Sequence, residues 1–288
     1  MDSTMHFPIR QIDLREFPPL LREIADPPKH LRIRGDLPRD TLFLTVVGSR
    51  KYTPYGKASC ERLIEGLRGY PVTIVSGLAL GIDTIAHEAA LRAGLTTVAV
   101  MPSGLSDNVL YPPSHRAVAE RILIKGGALL SEFADDFTPQ PWSFPQRNRI
   151  EAGMAKATLI IEAAERSGTL ITARLAMEYN REVLVVPHPI GGESGAGGNR
   201  LLREGTTLIR SSDDILEALG MSVEVKEVHT PADLSPDERV VFESLGEPLE
   251  RDALVGKAGL PVTRTNIALS SLLIKGFLAE RMGKIERI

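Results

Sequence analysis

The residue best suited to bind an anion in this sequence is Arg50, which follows an apolar run and a Gly-Ser turn. A guanidinium group in such a turn can donate two parallel hydrogen bonds to a phosphate. Small residues also follow most other apolar runs, for example Ser103-Gly104 and Ser167-Gly168. They allow a ligand to approach the backbone and leave helix N-termini free for anions. This pattern favours a phosphate-bearing ligand, although ordinary turns also prefer Gly and Ser, and Arg50 could instead form a surface salt bridge.

A second candidate is the acid-free stretch FTPQPWSFPQRNRI, residues 137–150, which contains the only tryptophan, Trp142. Phe144, Arg147 and Arg149 lie in the same stretch. Aromatic rings stack on unpaired bases and arginines hold phosphates, so this composition suits single-stranded nucleic acid. The prolines predict a stiff loop. The alternative is that Trp142 and Phe144 anchor this loop to the core.

Another acid-free stretch, residues 253–279, contains Lys257, Arg264 and Lys275. These cations and Lys51, which follows Arg50, are possible accessory contacts to DNA. A solvated helix face is an equally open interpretation of the stretch.

Motifs for catalysis and for metal binding are missing from the sequence. It contains neither a GxxxxGK[ST] loop nor a complete GxGxxG after a strand. Asp83 and His87 are four residues apart on a predicted helix, where helix capping by Asp83 and packing by His87 are expected. Glu162 and Glu165 are interpreted as acids at a helix start. We therefore predict no catalytic residue, no cofactor and no metal site.

The elements that would position these residues alternate between short apolar runs and amphipathic segments. This alternation predicts βαβ units and a doubly wound, mostly parallel sheet, whose ligands bind at the carboxyl ends of the strands. The predicted strands are Leu42–Val47, Val72–Val75, Thr96–Val100, Ala128–Leu130, Thr158–Ile161, Val183–Val186 and Thr207–Ile209. The predicted helices between them are Tyr55–Leu67, Asp83–Ala93, Ser114–Ile124, Arg149–Ala155, Leu170–Tyr179 and Asp213–Leu219, and Gly191–Asn199 is predicted as a loop.

The composition is that of a globular protein without a globally basic surface. The 288 residues carry 34 Lys+Arg and 37 Asp+Glu, a formal net charge of −3, so a polyanion must bind to a local patch. Hydrophobic residues make up 43% and charged residues 25%, as in globular proteins. The single cysteine fits a reducing cytoplasm. No apolar run approaches the roughly 20 residues that span a bilayer, so no membrane partner is expected.

Four segments are predicted along the chain. Residues 1–38 are a Pro-rich, irregular lead, and residues 39–220 form the α/β domain. Residues 221–234 are a linker. Residues 235–288 read as three helices and a hairpin, which predicts a winged-helix domain. A generic helical cap or dimerisation module is the alternative for this last segment, and the sequence leaves open whether it binds DNA or protein.

The combination of motifs resembles the DNA-processing protein A (DprA/Smf) family, although each motif alone is weak. The resemblance covers nearly the whole chain. The motifs that carry it are GSRKYTPYG (48–56), SGLALGIDTIAHEAAL (76–91), YPP (111–113), GGALLSEF (126–133), FPQRNRIEAG (144–153), EAAERSGTLITARLAME (162–178) and GGNRLLREGTTLI (197–209).

This resemblance implies an extended Rossmann-like fold and a protein that binds single-stranded DNA. Such a protein protects incoming DNA and helps load the RecA recombinase during natural transformation. It is expected to form a homodimer through the Rossmann-like domain and not to be an enzyme. The DNA-binding residues implied by the resemblance are Gly48, Ser49, Arg50, Phe144, Arg147 and Arg149, with Ser103 and Gly104 as weaker assignments.

Some features depart from the family pattern. The sterile-alpha-motif-like domain that many relatives carry is expected to be absent, since only about 12 residues precede the shared lead. Pro187-His188 stands where relatives usually have Pro-Gly.

A different class of function is kept as an alternative: a Rossmann-like nucleotide-binding enzyme or sensor related to phosphoribohydrolases. Stabilisation by mononucleotides alone would favour that alternative.

Overall fold

The structure, a computed structural model, describes residues 7–222, 234–281 and 283–287. The chain divides into two units, Met1–Val223 and Glu224–Ile288. Most of the predicted linker, residues 221–234, lies outside the described residues. Within the described ranges, no helix has the length and apolar character needed to cross a bilayer.

The first unit is built on one nine-stranded sheet. Its strands are β1 (Ile9–Ile12), β2 (Leu31–Gly35), β3 (Leu42–Val47), β4 (Val72–Ser76), β5 (Thr97–Val100), β6 (Ala128–Ser131), β7 (Ala157–Ile160), β8 (Glu182–Val185) and β9 (Thr207–Leu208). The order across the sheet is β1-β2-β6-β5-β4-β3-β7-β8-β9. Strands β3 to β9 are parallel, while β1 and β2 are antiparallel to their neighbours.

The chain reverses its direction of progress across the sheet at β3. It runs through β4, β5 and β6 on one side of β3, then returns to place β7 on the other side. Val47 pairs with Ile160, so β3 and β7 end at the same level. The segments that follow these two strands diverge, which leaves a crevice at their carboxyl ends.

Helices cover both faces of the sheet. They are α1 (Pro54–Glu65), α2 (Ile82–Ala93), α3 (Arg116–Ile124), α4 (Ser143–Met154), α5 (Thr169–Glu178), α6 (Ala196–Arg203) and α7 (Ser212–Ala218). Successive residues of one strand face opposite layers: Leu159 packs with residues of α1, α2 and α7, whereas Ile160 packs with residues of α4 and α5. The doubly wound α/β fold and its mostly parallel sheet are therefore confirmed.

The lead was predicted to be irregular, and the structure corrects this. Strands β1 and β2 extend the sheet at its antiparallel side, so residues 9–35 belong to the first unit. Leu31 and Ile33 are fully buried, and the arginines between and after them are partly exposed. This alternation is a strand signal, but the flanking prolines obscured it in a run of only five residues.

Two predicted loops contain helices. Helix α4 begins at Ser143, six residues before the predicted start, because Pro145 lies in its first turn, where its missing N–H has no intrahelical partner in any case. Helix α6 begins within the predicted loop Gly191–Asn199. There, a Cβ atom on Gly197 would lie 2.6 Å from the carbonyl oxygen of Ala164, so glycine permits close packing.

The second unit contains three helices and a three-stranded antiparallel sheet. The helices are α8 (Pro236–Ser244), α9 (Arg251–Ala258) and α10 (Val262–Ile274), and the strands are β10 (Leu249–Glu250), β11 (Leu278–Arg281) and β12 (Lys284–Arg287). Val241, Leu254 and Leu269 are buried together in its own small core. The element order agrees with the predicted three helices and hairpin, while a winged-helix role stays a prediction.

Candidate functional site

The Gly-Ser-Arg turn follows β3 and is held against the start of α2. A Cβ atom on Gly48 would lie 2.7 Å from Cγ1 of Ile82, so a side chain there would clash. The amide of Ile82 donates a hydrogen bond to the carbonyl of Ser49 at 3.2 Å. The Ser49 hydroxyl accepts a 3.0 Å hydrogen bond from the amide of Lys51. These contacts fix the turn, on which Arg50 and Lys51 are both exposed.

Arg50 keeps its charge available. It makes no hydrogen bond or ion pair with any residue that the structure describes. Its guanidinium carbon lies 5.2 Å from the centroid of the Phe144 ring. That ring meets the ring of Tyr111 edge-on, with 5.8 Å between centroids. A cation–π contact orients a guanidinium group without neutralising it, so Arg50 can still donate to an anion.

A cavity of about 530 Å³ lies at the crevice between the carboxyl ends of β3 and β7. Arg50 and Lys51 line it from the β3 side, and Arg166 lines it from the β7 side. Lys51 and Arg166 are exposed, and neither is ion-paired to another residue within the described ranges. Three cations at one cavity attract a polyanion even when the whole protein is slightly acidic.

Below this rim, the cavity is lined by a buried cluster of charged residues, Asp83 from α2 and Arg147 and Glu151 from α4. Nη1 of Arg147 donates to Oε1 of Glu151 at 2.7 Å and to the carbonyl of Val100 at 2.8 Å. A Cβ atom on Gly77 would lie 1.6 Å from the same nitrogen, so glycine makes room for the guanidinium group. Arg147 is thus anchored in the interior by the Glu151 carboxyl group and the Val100 carbonyl.

The two buried acids bind their protons more tightly than exposed carboxyl groups do. Burial raises the pKa of Glu151 to about 8, Asp83 adds to this effect, and Arg147 opposes it. Burial also raises the pKa of Asp83, against the attraction of Arg147 and Arg50. A carboxyl group removed from water favours its neutral form, and one guanidinium between two acids does not fully reverse that.

Asp83 and His87 do not form an acid–base pair. Asp83 accepts a 3.4 Å hydrogen bond from the amide of Ala79, just before α2. His87 is fully buried, with its Nδ1 atom 2.7 Å from the hydroxyl of Thr97. Burial lowers the pKa of His87 to about 3, so it is neutral at physiological pH. The contacts of His87 agree with its predicted packing role, whereas Gly81 is the N-cap of α2 and the Asp83 side chain does not cap that helix.

Glu162 was predicted to act as an acid at the start of the following helix, but its side chain contacts a different helix. Its Oε2 atom accepts hydrogen bonds from the amide and the hydroxyl of Thr53, at 3.0 and 3.2 Å. Thr53 caps the N-terminus of α1, so Glu162 supports that distant helix and not α5.

Among the described residues, no group of three or more His, Cys, Asp or Glu side chains could hold a metal ion.

Three of the predicted site residues lie outside this cavity. Arg149 is ion-paired with Glu132 and is largely buried. Ser103 and Gly104 are buried, and the amide of Gly104 donates to the carbonyl of Phe137 at 2.8 Å. The cavity therefore brings together Gly48, Ser49, Arg50, Phe144 and Arg147 with Lys51. The binding roles of all these residues stay predictions.

Trp142 combines features of both predicted alternatives. It is 54% exposed at the N-terminus of α4. Its ring lies 5.7 Å from the ring of Phe133 and 5.6 Å from that of Phe137, and these two phenyl rings stack at 4.5 Å. The indole is thus supported by an aromatic cluster while about half of its surface remains open to solvent.

Sequence reasoning missed three residues of the site, one of which is the buried acid Glu151. Arg166 lines the cavity, and Tyr111 contacts Phe144 at its edge. Arg166 could have been found, because it follows β7 at the same edge of the sheet as Arg50. The acids Glu162 and Glu165 beside it in sequence concealed it, although Glu162 is directed to Thr53.

The accessory cations of the second unit are mostly neutralised. Arg264 forms a bidentate ion pair with Asp237, with Nε at 2.7 Å from Oδ2. Nζ of Lys275 donates to Oε1 of Glu238 at 2.7 Å. Lys257 is exposed on α9 and has no acidic partner in the part of the chain that the structure describes. Two of the three cations therefore already have carboxylate partners within this unit.

Comparison with known proteins agrees with this architecture. The family model of the DNA recombination-mediator protein A matches residues 9–220. The Smf protein of Escherichia coli K12 is 37% identical over 286 residues, which cover 96% of this chain and 76% of that protein. The DNA processing protein DprA of Streptococcus pneumoniae R6 is 41% identical over 199 residues, or 68% of each chain.

Two solved structures extend the comparison. That of DNA processing protein A from Streptococcus pneumoniae has a TM-score of 0.67 at 38% identity and covers 74% of each chain. The protein from Helicobacter pylori, described as having a unique mode of binding single-stranded DNA, has a TM-score of 0.65 at 33% identity, covering 74% of this chain and 96% of that one. The matched family model includes every strand of the nine-stranded sheet, and the chain therefore belongs to the DNA recombination-mediator protein A family.

Proposed function

We propose that this protein binds single-stranded DNA at the cavity between the carboxyl ends of β3 and β7. Arg50 and Lys51 on one side and Arg166 on the other hold successive phosphates, and Phe144 stacks on an unpaired base. The observation that carries this proposal is the convergence of three exposed cations, none ion-paired within the described residues, on one cavity beside an aromatic ring. Single-strand binders combine such a basic groove with stacking rings.

The geometry supports single strands over duplex. Phe144 is only partly exposed and lies next to Arg50, so a base must leave its stack to reach the ring. In a duplex, the bases are paired and stacked, and their unstacking costs a few kcal/mol per step. The described structure of the Helicobacter pylori relative, which concerns single-stranded DNA, supports the same choice.

At the level of the cell, we propose that the protein protects incoming single strands and helps load the RecA recombinase during natural transformation. The family description, a recombination mediator, supports this role. We further propose that it acts in the cytoplasm as a homodimer through the Rossmann-like domain, and that it is a binding protein and not an enzyme. The 235–288 segment is proposed as an accessory winged-helix domain.

The direct test is a fluorescence anisotropy titration of a labelled single-stranded oligonucleotide with wild type and Arg50→Ala. Loss of a charge-assisted hydrogen bond to phosphate costs about 1.5–3 kcal/mol, so binding should weaken roughly 10- to 100-fold. The wild-type affinity should fall with added salt, and the slope of its logarithm should be shallower by about 0.7 in the variant.

Arg39→Ala is the matched control, because Arg39 is also an exposed arginine without an ion pair in the described ranges, but it lies near the amino ends of the strands. It should bind as wild type does. Equal affinity of wild type and Arg50→Ala would exclude the proposed site. A thermal shift caused by mononucleotides but not by oligonucleotides would instead favour a nucleotide enzyme or sensor.

A further inference from the structure

Two carboxyl groups line a cavity whose rim is basic. Asp83 is 7% exposed and Glu151 is 1% exposed, and both line the same cavity as Arg50. If both acids were ionised, they would place two negative charges beneath the bound phosphate. Among the described residues, Arg147 is the one buried cation beside them, and one of its nitrogens is already shared between Glu151 and the Val100 carbonyl.

Few positive charges lie close enough to offset the two buried acids. Besides Arg147, Arg50 from the turn after β3 acts on Asp83, and Lys51 and Arg166 line the same cavity. All three are exposed to solvent, so they offset the buried negative charge less than Arg147 does. His87, behind the cluster on α2, is neutral in the physiological range and adds no charge.

We propose that Asp83 and Glu151 make ligand binding at this cavity proton-linked: a phosphate-bearing strand binds when the acid pair carries a proton, and it draws that proton from solvent when the pair is fully ionised. This inference rests on the proposed function, because its ligand is the single strand. In the coupled step, a solvent proton bonds to a carboxylate oxygen of the pair, and no covalent bond of the ligand changes. The acids are positioning residues, since Glu151 also holds Arg147 in place.

The expected dependence on pH follows from the state of the free protein. Burial raises the pKa of Glu151 to about 8, so Glu151 holds its proton at pH 7 and has largely lost it at pH 9. Binding at pH 9 must then restore the proton, which weakens affinity about tenfold relative to pH 7.

The test measures affinity for an oligodeoxycytidylate at pH 7 and pH 9, since neither cytosine nor a phosphodiester titrates there. Wild type should bind about tenfold more weakly at pH 9. Glu151→Gln keeps the shape and an acceptor oxygen for Arg147, and it should lose most of this dependence. Glu132→Gln is the matched control: Glu132 also accepts from an arginine of α4 but lies outside the cavity, so its pH dependence should remain.

Calorimetry of the wild type checks the same inference without a variant. Titrations at pH 8.5 in two buffers with different enthalpies of ionisation should show uptake of a substantial fraction of one proton per strand bound. Equal wild-type affinity at pH 7 and 9, with no proton uptake, would overturn the proton linkage and leave the proposed function intact. No binding at pH 7 would instead overturn both. Asp83→Asn serves as the second variant if Glu151→Gln does not fold.

Discussion

Three exposed cations line the cavity between β3 and β7, and three cations lie in the acid-free stretch of the second unit. In the cavity, Arg50 and Arg166 form no ion pair within the described residues. In the second unit, Arg264 and Lys275 are held by two acids of α8. The same residue types are therefore without ion pairs among the described residues in one place and stabilise the fold in the other, according to which acids the neighbouring elements supply.

A stretch without acids in sequence is not a region without acids in space. Arg147 and Arg149, in the stretch 137–150, are paired with Glu151 and Glu132. At the cavity, the cations without an ion pair among the described residues follow the parallel strands β3 and β7. For this protein, position at the sheet edge is a better guide to cations without an ion pair than local composition.

The largest expected effect contrasts two double variants. Arg50→Ala/Arg166→Ala removes two unpaired cations from the cavity and should weaken single-strand binding by more than about 100-fold. Arg264→Ala/Lys275→Ala removes two paired cations of the second unit and should change affinity by less than about threefold. Anisotropy titrations at one salt concentration measure both, and equal losses would remove the distinction between the two regions.

Each region also has an arginine over a phenyl ring. In the second unit, Arg287 lies 4.5 Å from the Phe242 ring centroid and donates to the Phe242 carbonyl, so this pair is structural. Phe144→Ala should weaken single-strand binding by about 1–3 kcal/mol, the usual contribution of one stacked base, and Phe144→Trp should restore most of it. Phe242→Leu should lower the thermal stability of the second unit and leave affinity unchanged. Loss of binding in Phe242→Leu would contradict this assignment.

Buried or bonded acids in the two regions should respond to pH with opposite signs. The pKa of Glu238 is lowered to about 2, first by the hydrogen bond from Lys275, so its contribution to stability is present above its unfolded pKa and is lost as pH falls towards 2. Glu151, with its pKa raised to about 8, binds a proton more tightly when folded, so its contribution is lost as pH rises from about 4.5 to 8.

Urea unfolding followed across this range therefore separates the two acids. Glu238→Gln should flatten the loss of stability at acid pH, and Glu151→Gln should flatten the loss on the alkaline side. If the unfolding free energy of both variants varies with pH as it does in wild type, neither pKa shift is coupled to folding.

The smallest effect concerns helix caps that occur in both units. Ser211 caps α7 and Ser235 caps α8, each with a reciprocal acid at the third helical position. Replacement of either serine by alanine should cost about 1 kcal/mol of unfolding free energy. Thermal melts would detect this change, while single-strand affinity should be the same in both variants. A fall in affinity for Ser235→Ala alone would connect α8 to binding.

The parallel strands and most helices were predictable because their apolar residues repeat with clear periods. Helix α4 was placed too late because Pro145 was taken as a loop residue, although a proline in the first helical turn is tolerated. Strand β2 was missed despite the buried pair Leu31 and Ile33. Both errors came from giving prolines more weight than periodicity.

The site was predicted in part. Arg50 was identified because ligands of a parallel sheet bind at the carboxyl ends of its strands. The same reasoning applied to the end of β7 would have identified Arg166. The pairing of Arg147 with Glu151 was visible as a spacing of four residues on one helix. By contrast, Arg264 and Asp237 are 27 residues apart in sequence, and they pair only because α10 packs against α8.

One feature of the aromatic cluster gives the protein an internal optical probe. Trp142 is the sole tryptophan, is 54% exposed and lies at the N-terminus of α4, the helix that also carries Phe144 and Arg147. Its emission therefore reports from one known position, without any attached dye. Quenching or a spectral shift on addition of oligonucleotide would follow occupancy near α4 in real time, in every variant that keeps Trp142.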